Sequence, residues 1–185
     1  MLMQEKSGNK NKTQSGDLTR TLTTAIQQIH DPELKKDIEG IKIENAAEIQ
    51  TSDNKKCYLV QVSSESEKSL QKAHSEIVKK LEGKLSSSVV IVPARKRING
   101  NLSRKYRGKK VQRFETLTHV YDSFLNDVVF PAAIVGKRVR YPKSKGRQFK
   151  VLVDKLDRDS IEGKITAITA SYKALTNRDL SVEFA

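Results

Sequence analysis

The sequence predicts an α+β fold: a mostly antiparallel sheet with packed helices and an extended basic loop. Three observations predict it. Apolar residues recur at helical spacing in some segments and at strand spacing in others. Two pairs of strand segments are separated only by turn residues, which makes hairpins of them. The stretch from Arg95 to Arg113 carries dense positive charge and no apolar period beyond Ile98. A chain of 185 residues is expected to form one domain and to bury roughly 70% of the surface its unfolded form exposes.

Residues 1–16 are polar after Met3 and read as a mobile tail, leaving 17–185 as a single α+β domain. Asp17 is placed to cap a helix over 18–30, where Leu18, Leu22, Ala25, Ile26 and Ile29 share a face. Asp31-Pro32 starts a short second helix that Gly40 stops. Ile41, Ile43 and Ile49 mark a strand, Ser52-Asp53-Asn54 a turn, and Cys57–Val62 a central strand. Ser64 or Ser66 caps a helix over 66–83 with Leu70, Ala73, Ile77, Val78 and Leu81 inward, and Gly83 ends it. Val89–Val92 is a third strand, running straight into the basic loop.

The strongest helix signal follows. Leu117, Val120, Tyr121, Phe124, Leu125 and Val128 step by three and one, Thr116 or Thr118 caps, and Pro131 stops the run. A basic hairpin spans 134–153 around residues 142–146. Val135, Val139 and Tyr141 are expected opposite Phe149, Val151 and Val153, with Lys and Arg pointing the other way. Ile161, Ile165, Ile168, Tyr172 and Leu175 give a last helix, and Leu180, Val182 and Phe184 a last strand. No internal repeat is visible in the residues.

Charge points to function. The chain holds 35 Lys and Arg against 22 Asp and Glu, a formal net of +13. Nine cations lie in 95–113 and seven in 137–150, with no acid in either stretch. The 19 remaining cations face all 22 acids, so the whole surplus sits in two segments. Charge concentrated in this way needs an external polyanion, which makes nucleic acid the expected partner. The candidate contacts in the loop 95–115 are Arg95, Lys96, Arg97, Arg104, Lys105, Tyr106, Arg107, Lys109, Lys110 and Arg113. Those in the hairpin are Lys137, Arg138, Arg140, Lys143, Lys145 and Arg147. Tyr106 and Tyr141 are of the type that stacks on unpaired bases, although strand packing is the ordinary use of Tyr141.

No recognition helix or zinc-finger pattern appears, and 116–130 contains no cation, so folded RNA suits the basic segments better than a DNA groove. Enzyme signals are missing. His30, His74 and His119 lack partners at ligand spacing, phosphate-loop and nucleophile-elbow motifs are absent, and Cys57 falls in a core strand. Asp154, Asp157, Asp159 and Glu162 read as a solvated helix start. No cofactor, metal, membrane span or small-molecule substrate is expected. Competing readings are a free-standing RNA-binding protein or RNA chaperone, and a module whose basic loops engage acidic proteins.

Two further blocks carry a resemblance. Thr116–Pro131 followed by Ile134–Arg140, together with Tyr172–Phe184, resembles the eukaryotic small-subunit ribosomal protein seven family, and Arg95-Lys-Arg-Ile98 resembles the start of its basic loop. Asn99-Gly-Asn and the short Val111–Glu115 lead depart from the family's pattern. The resemblance implies a structural, non-enzymatic constituent of the cytoplasmic small subunit. It implies contact with ribosomal RNA, including an expansion segment, and with neighbouring ribosomal proteins. It also implies a part in subunit assembly and RNA processing, with nucleolar passage.

Overall fold

The computed structural model describes residues 10–27, 40–53, 55–98, 112–141 and 147–185. The proposed helix over 31–39 and most of the basic loop lie outside the described residues. Among those described, four long helices and two three-stranded sheets confirm the α+β class. The helices are α1 (Lys10–Gln27), α2 (Glu67–Leu85), α3 (Leu117–Val129) and α4 (Ile165–Thr176). The strands are β1 (Ile43–Gln50), β2 (Lys56–Val62), β3 (Ser88–Pro93), β4 (Ile134–Arg140), β5 (Gln148–Val153) and β6 (Asp179–Phe184). Helix α1 begins at Lys10, so it takes in residues assigned to the polar tail.

The strands form sheets of order β1-β2-β3 and β4-β5-β6. In each, the first two strands make the expected antiparallel hairpin, and the third lies parallel to the second. Both sheets are therefore mixed, where the sequence reading had them mostly antiparallel. The cause is the helix between second and third strands: crossing the sheet face returns the chain to the same end, and the next strand runs parallel.

The two halves of the chain are one unit built twice. A constant offset of 91 residues carries Ile43↔Val62 onto Ile134↔Val153, and Cys57↔Ser88 onto Gln148↔Asp179. The same offset carries the 3-10 turn Ser64–Ser66 onto Lys155–Asp157, and the left-handed residue Ser86 (φ 51°) onto Asn177 (φ 55°). Each first strand even has its register shift at the same place, after Ile43 and after Ile134. Between α2 and its counterpart the helix form differs in a stepped start in the second unit, where Arg158–Ile161 and a 3-10 turn lead into α4. Buried residues coincide in kind: Val60 with Val151, Val62 with Val153, Leu70 with Ile161, Ile77 with Ile168, Leu81 with Tyr172.

The units stack face on face. One face of the first sheet, with Val60, Val62, Val89 and Ile91, packs on α1 and α2 through Leu22, Ile26, Leu70, Ile77 and Leu81. Its other face, with Cys57, Leu59, Val90 and Val92, packs on α3 and α4 of the second unit. Those helices pack in turn on Phe149, Val151 and Val153 of the second sheet. The layers run helices, sheet, helices, sheet, and among the described residues no layer covers the far face of the second sheet.

Helix ends differ from the sequence reading in instructive ways. Gly83 lies inside α2, with open space where a Cβ would project, and Ser86 closes the helix in left-handed geometry, its N–H bonded to Glu82 O at 2.8 Å. Ser66 stands at the N-cap without capping: its hydroxyl donates to Gly40 O at 2.5 Å and ties α2 to the start of β1. Thr116 is the N-cap of α3 in extended geometry, but its hydroxyl points back to Arg113 O at 2.6 Å.

Candidate nucleic-acid interface

The second sheet decides where its cations point. Val135 is the extra residue of a bulge, since Ile134 pairs with Val153 and Gly136 with Leu152. The bulge throws Val135 outward, 64% exposed, rather than into the core as its alternation suggested. From Gly136 onward the register places Arg138 opposite Lys150 and Arg140 opposite Gln148, on the uncovered face. Lys137 goes the other way, against expectation. It is opposite Val151 on the helix side, ion-paired with Asp122 of α3, with Nζ 5.7 Å from the Phe149 ring centroid. The driving term is local: an acid on α3 and an aromatic face on β5 give a lysine ammonium two partners at the layer's edge.

The uncovered face is basic. Arg138, Arg140 and Lys150 lie on it with Gln148, Leu152, Ser181 and Glu183, and Lys150 is ion-paired with Glu183. Comparison with the first unit is informative here. The counterparts of Gln148, Lys150, Ser181 and Glu183 are Cys57, Leu59, Val90 and Val92, all buried against α3 and α4. The same backbone positions are apolar where a helix layer covers them and polar or cationic where none does. An end unit needs a polar outer face to stay soluble. The excess of cations over acids on this one exceeds that need.

The basic loop is gripped at both ends. Ile98 N–H donates to Glu115 O at 3.1 Å, closing the neck. Ala94 N–H donates to Val62 O at 2.6 Å, extending the β2–β3 pairing past Pro93. Arg95 is turned inward: its Nε and Nη2 donate to the two Asp127 oxygens at 2.7 and 2.8 Å, and Nη2 also to Glu67 at 2.9 Å. This bidentate fork joins α2 to the end of α3. Pairing with Asp127 raises the Arg95 pKa, while burial outweighs Arg95 and raises that of Asp127. Lys96, Arg97 and Arg113 are exposed at the neck. Arg104, Lys105, Tyr106, Arg107, Lys109, Lys110, Lys143 and Lys145 lie outside the described residues.

Sequence reasoning missed two cations. Arg178 sits 4.4 Å from the Tyr121 centroid and 4.9 Å from that of Phe149, and Lys150 faces out beside Arg138. Lys150 lies inside the basic run 137–150. Arg178 stands alone between Asn177 and Asp179, with no local signal.

Groups able to do chemistry are engaged structurally. Cys57 is fully buried, 3.7 Å from the Ser171 hydroxyl, and burial pushes its thiol up. His119 is exposed with Nδ1 3.3 Å from the Ser123 hydroxyl. Asp154 accepts from Leu156 N–H at 3.2 Å, Asp157 from Ala133 N–H at 3.3 Å, and Glu162 pairs with Arg158 at 3.0 Å. A cleft of about 430 Å³ between α2 and residues 160–168 is bridged by Lys164 and Glu82 at 2.8 Å and contains His74.

His74 gives a pH prediction. Its Nδ1 is buried with no hydrogen-bond partner among the described residues, and its ring meets Phe130 edge-on at 4.8 Å. Burial first, and Lys164 second, hold its pKa at about 4 against the ordinary 6.5. The unfolded chain therefore binds a proton between pH 6.5 and 4 that the folded chain refuses, so stability falls as pH falls through that window. The expected loss at pH 5 relative to pH 7 is about 2 kcal/mol. Urea midpoints at the two pH values should show this loss in the wild type and not in His74→Leu; equal losses would refute it.

The family model for "Ribosomal protein S7e" matches residues 5–184. The chain belongs to the ribosomal protein S7e family. A small ribosomal subunit protein eS7 of Drosophila melanogaster is 36% identical over 172 residues, covering 91% of this chain and 88% of that protein. The eS7 protein of Avicennia marina is 36% identical over 154 residues, covering 82% and 80%. An Arabidopsis thaliana relative, eS7z, is 37% identical over 152 residues, covering 82% and 79%. Membership makes this chain a structural protein of the small ribosomal subunit and not an enzyme, as the Thr116–Pro131 block implied. Among the described residues of this S7e chain, the loop neck carries exposed Lys96, Arg97 and Arg113, and the uncovered sheet face carries exposed Arg138 and Arg140.

Proposed function

We propose that the chain binds ribosomal RNA through the uncovered face of its second sheet and through the basic loop, and that this holds it in the small subunit. One observation carries the reading: Arg138 and Arg140 lie on a sheet face whose counterpart in the first unit is apolar and covered. A helix layer buries the first; a phosphate backbone suits the second. Rigid strands fix the spacing of the two guanidinium groups, which contact phosphates and position more than they specify. The loop 95–115, held at its neck, adds a second contact. An expansion segment of the RNA, neighbouring small-subunit proteins, subunit assembly, RNA processing and nucleolar passage before residence on cytoplasmic ribosomes complete this reading, on the strength of family membership.

Binding through phosphates releases counterions, so its salt dependence is the test. Arg138→Gln with Arg140→Gln should flatten the slope of log affinity against log salt by about 1.5 units, two contacts at roughly 0.7–0.9 each. Arg104, Lys105 and Arg107 replaced together by Gln should flatten it by about 2–3 units and weaken cognate and unrelated RNA alike. Folding should be unchanged in both, because neutralising self-repelling surface costs little. Unchanged slopes in both variants would remove these segments from the RNA contact.

A further inference from the structure

At the edge of the second sheet, aromatic rings and cations alternate. Tyr121 of α3 lies under the Arg178 guanidinium at 4.4 Å from its ring centroid. Arg178 also covers Phe149, at 4.9 Å. Arg147 lies 6.0 Å from the Phe149 centroid and 5.2 Å from that of Tyr141. The series Tyr121, Arg178, Phe149, Arg147, Tyr141 thus runs from the helix layer outward along the sheet. The inner rings are covered, Tyr121 half-buried and Phe149 3% exposed, while the terminal ring, Tyr141, is 69% exposed. Strand packing, the ordinary use of a tyrosine here, would have covered that ring. The sheet side it shares with Lys137 and Val139 runs out past the end of the helix layer.

We propose that Tyr141 is a base-stacking position, where one unpaired RNA base adds the next rung to this series. The inference rests on the RNA-binding reading above and goes further by naming what the RNA must offer. The chemistry is specific to that class. A π face stacks on any base, and the Arg147 charge beside it suits the adjoining phosphate, while Arg138 and Arg140 lie on the opposite face of the same hairpin. Duplex RNA keeps its base faces covered and cannot use the ring. An acidic protein would be drawn by the cations but gains nothing particular from an exposed aromatic. The nearby acid Asp122 is already neutralised by Lys137, so it does not repel the RNA.

The experiment uses the full chain and two RNA hairpins, one with a single unpaired 2-aminopurine and one fully paired. Tyr141→Ala should lose about 5- to 150-fold in affinity for the first and nothing measurable for the second. Tyr141→Phe should bind both as the wild type does, and 2-aminopurine fluorescence should be quenched by wild type and Tyr141→Phe but not by Tyr141→Ala. Equal losses on both RNAs, or no loss on either, overturns the stacking role. Arg138→Gln with Arg140→Gln separates the two levels of the reading. Loss on both RNAs in that variant keeps phosphate binding and leaves stacking to be judged by Tyr141 alone. No loss on either overturns RNA binding by the Arg138 and Arg140 face, and Tyr141→Ala then decides whether stacking stands without it.

Discussion

Phe124→Ala is expected to destabilise the isolated protein by about 3–5 kcal/mol, the range for truncating a core phenylalanine. Phe124 is buried in α3, between the two sheets. This layer is the back of the first unit and the core of the second, so a cavity there is felt on both sides. Val120, Leu125, Val128 and Val129 share the helix and are buried with it. Denaturant unfolding is the measurement. The midpoint should fall with the slope unchanged if both units still unfold together. A cost below about 0.5 kcal/mol, the size of an ordinary surface substitution, would mean that the stripe is not core. A second, separate transition would show that α3 is what couples the repeats.

The helices and strands were legible because each buries one face, and burial writes its period into the residues. Leu117 to Val128 is the clearest case, and the structure begins that helix at Leu117 and ends it at Val129. The repeat was not legible. Val60 and Val151, Val62 and Val153, and Ile77 and Ile168 are identical across the two units, but Leu70 meets Ile161 and Leu81 meets Tyr172. Packing asks for apolar volume at a place, which many residues supply, and so topology outlasts identity. Faces turned outward have changed class altogether, from Leu59 to Lys150 and from Val92 to Glu183. That change, unreadable until the units are superposed by register, is what singles out the face we propose for RNA.

Local misreadings have local causes. Val135 was assigned inward by alternation, and alternation fails where a bulge adds a residue. Gly83 looked like a helix end because glycine favours left-handed geometry, yet Ser86 takes that conformation with φ 51°. Arg95 was counted with its neighbours as a phosphate contact because composition shows charge and not its partner. Glu67 and Asp127 reach it from 28 and 32 residues away, beyond any window in which a charge run is read.

Arg95 therefore makes a prediction opposite in kind to those of Arg138 and Arg140. Its fork draws Asp127 of α3 and Glu67 of α2 together at the root of the loop, and Asp127 is the more buried of the two acids, its side chain 13% exposed against 31%. Burial raises the Asp127 pKa even with Arg95 in place, so the assembled pair contributes modestly to stability. Breaking it is another matter. Arg95→Met strands two carboxylates near one another in a part-buried site, at a cost of about 2–3 kcal/mol, less than for fully buried pairs because a quarter of the Arg95 side chain is exposed. Adding Asp127→Leu should return much of that loss by removing the stranded charge. The cost should also shrink on acidification, because Asp127, with its pKa already raised, takes up a proton and stops repelling Glu67. The RNA salt slope should stay at the wild-type value, since a guanidinium held by two acids has no charge left for a phosphate. Unfolding measured for the single and double variants at two pH values, alongside the slope, checks each step. A flattened slope with unchanged stability would put Arg95 on the RNA after all, and the loop's root would then need another clamp.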